Sequence, residues 1–482
     1  MLLILKFYIF LYIIILYNQI NLFYIFFKNL KKMRIYLILI ILNNIFSYIE
    51  IPFTLTSSNK GKHYYIIPIF IGTPEQKFLL QLDTSNANTW IPSTYCNNCK
   101  DVSLYKDKNS TSSNTTKNKA IIYDEDSIVN GYISYEKINI NNKIKIPKIG
   151  FIQIISFDNE FNDYNQGKLG LGYRGFINGD FNLLNMLLKN NIIQKRIFSI
   201  ELKNENGGNL YFDKYQNSES EYECNITSYE NLNIIYRQSW ICFLSHVIIE
   251  EEEPIFIAGY DILSRILFDS SYEYIAIPYR YFYTIKENLF DAFLIYSCDL
   301  KNLENNKIKE YYYECNEDGM DIKKLKFNFV IQGYAYQIHA KDLFKKIGEK
   351  KYESLIRFID NVIIDEDKSN YDDDDEEDVW MVGYPFFKNF LVRYDFERRK
   401  VGFKETKGKI FNLTSDWNDW YNEYVNDINH SKTMRFLFIG IFILSSIFVV
   451  FVGILCYRGI KRRNRFDDMR PLFTDNQINN NY

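Results

Sequence analysis

The chain is short of the residues on which much catalysis depends. It has four histidines in 482 residues, scattered and too few for a His-based site. No Ser, His and Asp set stands out as a nucleophilic triad, and no glycine-rich loop suits a phosphate. The formal net charge is −3, so no basic excess offers itself to a nucleic acid. Glycine (21) and proline (9) are scarce, while Asn, Lys, Ile, Tyr and Phe are used heavily. Those residues have AT-rich codons, so the bias bears on origin rather than on chemistry. Apolar residues make up 47% of the chain, ample for a sizeable core, and the length allows two or three domains.

Cysteine is limited too. Of seven, Cys456 lies in a C-terminal apolar span, which leaves Cys96, Cys99, Cys224, Cys242, Cys298 and Cys315. An even set suggests an oxidising compartment. Cys96 and Cys99 have the spacing of half a zinc site, but no second Cys or His pair follows at a suitable distance. We expect no metal and no cofactor. Cys224 and Cys242 read as neighbours on adjacent strands.

Long apolar runs lie at both ends. Phe436 to Tyr457 is a run of 22 residues without a charge, enough to span a bilayer as a helix. Arg458, Lys461, Arg462, Arg463 and Arg465 follow, which puts the tail in the cytosol and the preceding chain in the lumen or outside. Sequons at Asn109, Asn114, Asn225, Asn412 and Asn429 all precede the span, in mild agreement. At the other end, residues 2–27 are mostly apolar with Lys6 the only charge, and Met33 onward reads as a signal peptide with Ser47 near a cleavage point. Either translation starts at Met33 or residues 2–27 form a signal anchor. Both send the middle of the chain into the secretory pathway.

That middle carries a duplication. Leu82-Asp83-Thr84-Ser85 leads to Trp90-Ile91-Pro92, and Phe268-Asp269-Ser270-Ser271 leads to Ile275-Ala276-Ile277-Pro278. Each copy has an apolar lead-in, an Asp, a small hydroxyl residue, a Ser, and a Pro nine positions after the Asp. Two such loops are what a two-carboxylate site between similar lobes requires.

The duplication resembles the pepsin-like aspartic proteases, whose lobes each carry Asp-Thr/Ser-Gly. Further matches are Tyr64-Tyr65 through Gly72-Thr73-Pro74-Glu75-Gln76, Gly167-Lys168-Leu169-Gly170-Leu171-Gly172 against the family's Gly-Ile-Leu-Gly-Leu-Gly, and Arg196 to Leu202. Val382 to Phe387, Tyr394-Asp395-Phe396 and Val401-Gly402-Phe403 match the last strands. The resemblance covers about residues 60–405. It implies an all-β, bilobal fold with Asp83 and Asp269 as the catalytic pair, no metal, and a peptide or protein substrate. It also implies disulfides Cys96–Cys99 and Cys298–Cys315, with Cys224–Cys242 as the remaining pair. Together with the C-terminal span, the layout resembles the membrane-anchored plasmepsin-type proteases of apicomplexan parasites.

The departures sit at the site. Ser85 and Ser271 replace both family glycines, where a Cβ risks a clash with the partner loop. The hydroxyl residue that usually bonds the aspartate is Asn86 in one loop, a workable substitute, and Tyr272 in the other, which needs rearrangement. Thr84 and Ser270 keep the hydroxyls that tie the loops together in the family. Tyr123 to Ser127 aligns with the flap at the cost of one extra residue, with Tyr123 as the flap tyrosine and Asp124 and Asp126 in place of glycines. That hairpin reads either as a substrate-closing flap, its acids favouring basic peptides or low pH, or as a solvated turn. Asn109 to Asn118 reads as a polar, disordered insertion, and Asp365 to Asp378, with ten acidic residues in fourteen, as a solvated loop.

The expected layout is a targeting region (1–49), lobes at 50–203 and 204–408, a stalk (409–435), a membrane helix (436–457) and a basic cytosolic tail (458–482). Two functions stay open: a membrane-anchored aspartic endopeptidase, and an impaired pseudoprotease that binds peptides or proteins in the old cleft.

Overall fold

The structure, a computed structural model, describes residues 48–57, 63–99, 102–124, 127–157, 167–173, 179–213, 222–226, 240–250, 255–256, 264–291, 298–304, 309–316, 326–360 and 379–412. Residues 1–47 of the expected targeting region, the C-terminal span with its tail, the sequon at Asn429 and the acidic run Asp365–Asp378 lie outside them. Among the described residues no helix is long and apolar enough to cross a membrane.

Apolar and β-branched residues dominate the segments that form strands, as a pleated, half-buried surface favours. The first ten are β1 (Ile49–Ser57), β2 (His63–Ile71), β3 (Gln76–Asp83), β4 (Trp90–Pro92), β5 (Asn114–Asp124), β6 (Ser127–Ile140), β7 (Ile144–Phe157), β8 (Lys168–Gly170), β9 (Ile197–Asn204) and β10 (Gly207–Phe212). Next come β11 (Tyr222–Asn225), β12 (Ile241–Phe243), β13 (His246–Glu250), β14 (Ile255–Phe256), β15 (Arg265–Phe268), β16 (Ile275–Pro278), β17 (Cys298–Glu304) and β18 (Lys309–Asn316). The last are β19 (Lys326–Ile331), β20 (Tyr334–His339), β21 (Phe344–Lys346), β22 (Lys351–Ser354), β23 (Ile356–Asp360), β24 (Val379–Val382), β25 (Phe390–Asp395), β26 (Lys400–Glu405) and β27 (Lys409–Asn412).

They form sheets of 13, 9 and 5 strands. The largest runs β11-β26-β25-β9-β10-β1-β2-β3-β8-β4-β7-β6-β5, so strands from both ends of the described chain share it. The β9–β10 hairpin pairs Gly207 with Asn204 and spans the position where the sequence reading divides the lobes. At the other edge of that reading, β27 pairs with β20, so the fold runs on to Asn412. Among the described residues a large core and a smaller cluster around Trp90, Ile152 and Phe181 form, and the large one is rich in rings: Phe268, Phe386, Phe403 and Tyr336 interlock at centroid separations of 4.8–6.2 Å.

One strand arrangement occurs twice. β3 pairs parallel with β8, β8 antiparallel with β4, and β4 parallel with β7. In the second half β15 pairs parallel with β24, β24 antiparallel with β16, and β16 parallel with β23. β3 ends in Asp83, and β15 stops one residue before Asp269. The duplicated loops therefore sit on duplicated strands.

Three sequence expectations change. Asn109–Asn118 is ordered rather than disordered: Asp107–Asn109 is a 3-10 turn and β5 begins at Asn114. Its polar side chains bond to the body of the fold, with Ser110 Oγ donating to Glu136 at 2.6 Å and Thr116 Oγ1 to the Ile133 carbonyl at 2.9 Å. Val382–Phe387 is a strand only to Val382, after which Tyr384–Asn389 is helical, with Pro385 in its first turn where a missing N–H costs nothing. Ser85 and Ser271, whose Cβ atoms the sequence reading expected to risk a clash, fit with their hydroxyls on the aspartates.

All three expected disulfides are present: Cys96–Cys99, Cys224–Cys242 and Cys298–Cys315. Cys224–Cys242 joins β11 of the largest sheet to β12 of the nine-stranded one.

Glycine is spent where backbones nearly touch. A Cβ on Gly170 would lie 2.4 Å from the Ala87 carbonyl carbon, and one on Gly383 would lie 1.9 Å from the Tyr272 oxygen. Each glycine lets a strand pass under an Asp-bearing loop. Gly383→Ala should therefore destabilise by about 1–3 kcal/mol or more, as overpacking against backbone does. Gly348→Ala, whose Cβ would meet ordinary contacts at 3.5 Å, should stay within about 0.5 kcal/mol of wild type in denaturant unfolding.

Candidate active site

The two Asp loops are fastened to one another through buried hydrogen bonds. Thr84 Oγ1 donates to the Phe268 carbonyl at 2.8 Å and accepts from the Ser270 N–H at 2.9 Å. Ser270 Oγ donates to the Leu82 carbonyl at 2.9 Å. The Tyr394 hydroxyl donates to the same Phe268 carbonyl at 3.2 Å. Gln81 Nε2 reaches across to the Ser271 carbonyl at 2.9 Å. The residues between which these bonds run are 184–190 positions apart for the direct loop-to-loop contacts. The hydroxyls at Thr84 and Ser270 thus stand where the sequence reading put them.

Each aspartate is held by its own loop. Asp83 Oδ1 accepts from the Ser85 N–H at 2.8 Å, the Ser85 hydroxyl at 2.7 Å and the Asn86 N–H at 3.1 Å. Asp269 Oδ1 accepts from the Ser271 N–H and the Ser271 hydroxyl, both at 2.8 Å. Both aspartates are buried. Ser85 and Ser271, read from the sequence as standing at glycine positions of the resembled family, are accommodated, and neither has a positive φ, so no glycine-specific backbone is demanded there. Their Cβ atoms carry hydroxyls onto the carboxylates instead of clashing.

The positions after the serines behave differently from expectation. The Asn86 carboxamide turns away from Asp83 and accepts from the Asn88 N–H and side-chain amide at 2.9 and 3.0 Å. Its backbone N–H, not its side chain, reaches the aspartate. The Tyr272 ring lies edge-on to Tyr274 at 5.8 Å, and the Tyr272 carbonyl accepts from the Tyr384 N–H at 3.0 Å. The second loop is further anchored by Glu273. Its Oε1 bonds His63 at 2.9 Å and Lys345 at 2.7 Å. Burial pushes the Glu273 carboxyl up, but those two partners outweigh it and hold it below the usual range. Tyr394 beneath the loops is driven far above the ordinary phenol range by burial, opposed by the Thr84 hydroxyl and reinforced by the charge on Asp269.

The flap residues fall on a hairpin. β5 and β6 pair with Tyr123 opposite Ile128 and Asp124 opposite Ser127. Glu125 and Asp126 between them are outside the described residues.

One charged neighbour escaped the sequence reading. Lys168 Nζ lies 3.8 Å from Asp83 Oδ2, with 3% of its side chain exposed. Asp83 Oδ2 accepts no hydrogen bond. The signal was in the chain: a lysine inside Gly167-Lys168-Leu169-Gly170-Leu171, an apolar strand segment, where the similar family segment has Ile. Among the described residues no cluster of three or more His, Cys, Asp or Glu is placed to hold a metal ion.

Comparison with known proteins agrees with this arrangement. The family model described as eukaryotic aspartyl protease matches residues 64–406. Renin-2 of Mus musculus is 20% identical over 366 residues, covering 73% of this chain and 81% of renin-2. Gastricsin of Suncus murinus is 29% identical over 164 residues, 32% of this chain and 42% of gastricsin. Rhizopuspepsin of Rhizopus chinensis is 28% identical over 164 residues, 32% of this chain and 41% of rhizopuspepsin. The chain thus spans less than half the length of the last two. With two Asp loops on duplicated strands and a family match over well more than half its length, the chain belongs to the eukaryotic aspartyl proteases.

Proposed function

We propose that the chain is an aspartic endopeptidase in which Asp83 and Asp269 jointly activate water. The observation that carries this reading is the set of reciprocal bonds through Thr84 and Ser270, which hold two buried Asp loops as one unit. On this reading the two carboxylates come together, share a proton and titrate as a pair. The ionised member takes a proton from water as the water oxygen adds to the scissile carbonyl carbon. The protonated member donates to the carbonyl oxygen. The adduct collapses as the C–N bond breaks and a proton passes to the leaving amine. Ser85 and Ser271 occupy one oxygen of each carboxylate and fix its plane. Tyr123 and Ser127 on the hairpin are the candidates to close over a peptide.

A second reading has its own observation. Hydroxyl groups from Ser85 and Ser271 press on both aspartates where the family has none, and Tyr272 stands where a small hydroxyl residue is usual. On that reading the chain is a pseudoprotease that binds a peptide or protein. Incubating the purified full chain with a diverse peptide library across pH 3–7 separates the two. The endopeptidase cleaves, Asp83→Asn lowers the rate at least about 10²–10⁴-fold, and Ser85→Gly with Ser271→Gly changes it modestly. Absence of cleavage by wild type, with cleavage gained by the double glycine variant, selects the pseudoprotease. Cleavage unchanged in Asp83→Asn excludes the two-aspartate chemistry.

We place this domain in the lumen of the secretory pathway or outside the cell, carried by one C-terminal span in the manner of plasmepsin-type proteases. The three disulfides and the exposed sequon residues Asn109, Asn114, Asn225 and Asn412 support that side. The basic residues after Tyr457 support a cytosolic tail. In sealed microsomes, an epitope placed after Arg465 should be digested by added protease without detergent. Its survival would reverse the topology.

A further inference from the structure

The strand arrangement outside the Asp83 loop recurs outside the Asp269 loop, with different residues in it. β7 pairs antiparallel with β6 and β6 with β5, while β23 pairs antiparallel with β18 and β18 with β17. The β17–β18 hairpin is therefore the second half's counterpart of the β5–β6 hairpin that carries Tyr123. Trp90 and Ala276 each stand seven positions after their aspartate. Trp90 lies opposite Ile152, in an apolar cluster that includes Ile122 and Val129 of the β5–β6 hairpin. Ala276 lies opposite Arg357, a fully buried arginine.

A buried cation is costly unless its surroundings hold it, and Arg357 is held between the Asp269 loop and the hairpin. Its guanidinium lies over the Tyr274 ring at 3.8 Å and over the Tyr312 ring at 4.2 Å. Tyr274 belongs to the Asp269 loop and Tyr312 to β18. The Nη atoms of Arg357 donate to the Ser354 carbonyl and to Glu353, and Glu310 of β18 lies 3.9 Å from Nε. A planar guanidinium suits stacking on aromatic faces, and such contacts gain strength out of water. Tyr274 passes the hold inward. Its ring meets the Tyr272 ring edge-on at 5.8 Å, and the Tyr272 N–H donates to the Asp269 carbonyl at 3.3 Å. At the matching positions of the first loop, Asn86 and Asn88 bond to each other instead.

We propose that Arg357 is a positioning residue for Asp269: its guanidinium fastens the β17–β18 hairpin to the Asp269 loop through Tyr312 and Tyr274, and so fixes where that aspartate stands. The effect on rate rests on the endopeptidase reading; the fastening itself does not. The disulfide Cys298–Cys315 closes the hairpin on itself. Loss of Arg357 therefore frees the hairpin from the loop rather than unravelling it.

The test compares the full chain as wild type, Arg357→Met, Tyr274→Leu, Tyr274→Phe, and Arg357→Met combined with Tyr274→Leu. The first readout is native-state amide exchange followed by mass spectrometry. The fastening predicts that Arg357→Met speeds exchange about tenfold or more in both the Asp269–Tyr274 loop and β18, while β5 and β6 keep the wild-type rate. Faster exchange in β18 alone, or in neither segment, overturns it. The second readout is kcat and KM on the best-cleaved peptide of a quenched-fluorescence library. Arg357→Met should lower kcat about tenfold or more with KM little changed. Tyr274→Phe should keep the wild-type kcat, because the ring stays. The combined variant should be no slower than Arg357→Met alone, since both changes break one link. An unchanged kcat in Arg357→Met, or losses that multiply in the combined variant, overturn the positioning role. If no form hydrolyses at any pH, the endopeptidase reading fails and amide exchange alone decides the fastening. Tyr274→Leu, which leaves Arg357 its bonds to Glu353 and Ser354, serves both comparisons where Arg357→Met does not fold.

Discussion

The architecture turns on two hydroxyls that bond across the junction of a duplicated chain. Thr84 and Ser270 each sit beside an aspartate, and each reaches the backbone just before the other aspartate. A buried bond of this kind is worth about 0.5–1.5 kcal/mol net, but losing one partner strands a buried donor or acceptor at about 1–3 kcal/mol. The pair therefore acts less as adhesive than as register. With it satisfied, both Asp loops have one relative position, and the strands behind them follow. Gly170 and Gly383 serve the same end by letting the supporting strands run close beneath the loops.

Around that junction two serines bind the aspartates of their own loops. A glycine would present only its N–H to the carboxylate, whereas Ser85 and Ser271 present an N–H and a hydroxyl to the same oxygen. Each aspartate is more tightly oriented as a result. The remaining oxygen of Asp83 faces the buried Lys168 ammonium at 3.8 Å, beyond hydrogen-bond distance. Serine hydroxyls and a lysine ammonium thus set the polarity and charge around the aspartates.

Most of the frame was legible because repetition is visible in sequence. Equal Asp-to-Pro spacing identified both loops, and the small hydroxyls at Thr84 and Ser270 identified the tie. Cys96–Cys99 and Cys298–Cys315 followed from family resemblance, and Cys224–Cys242 as the remaining pair. What escaped depends on direction rather than spacing. Nothing in the string says that the Asn86 carboxamide turns to Asn88 instead of Asp83. Polarity made Asn109–Asn118 look disordered, because its bonds go to Thr73, Ile133 and Glu136, far along the chain. Lys168 lies inside a segment whose glycines and leucines carry the family resemblance, so its charge hides within the match. A charge in an apolar strand is the stronger message there.

The proposed chemistry requires Asp83 and Asp269 to titrate as one coupled unit. Carbon-13 NMR of carboxyl-labelled aspartate, following Asp269 through pH 2–8 in wild type and in Asp83→Asn, tests it directly. Coupled carboxylates titrate in macroscopic steps that belong to the pair, so the Asp269 curve should shift and simplify when Asp83 loses its charge. An Asp269 curve indifferent to that substitution would contradict the account.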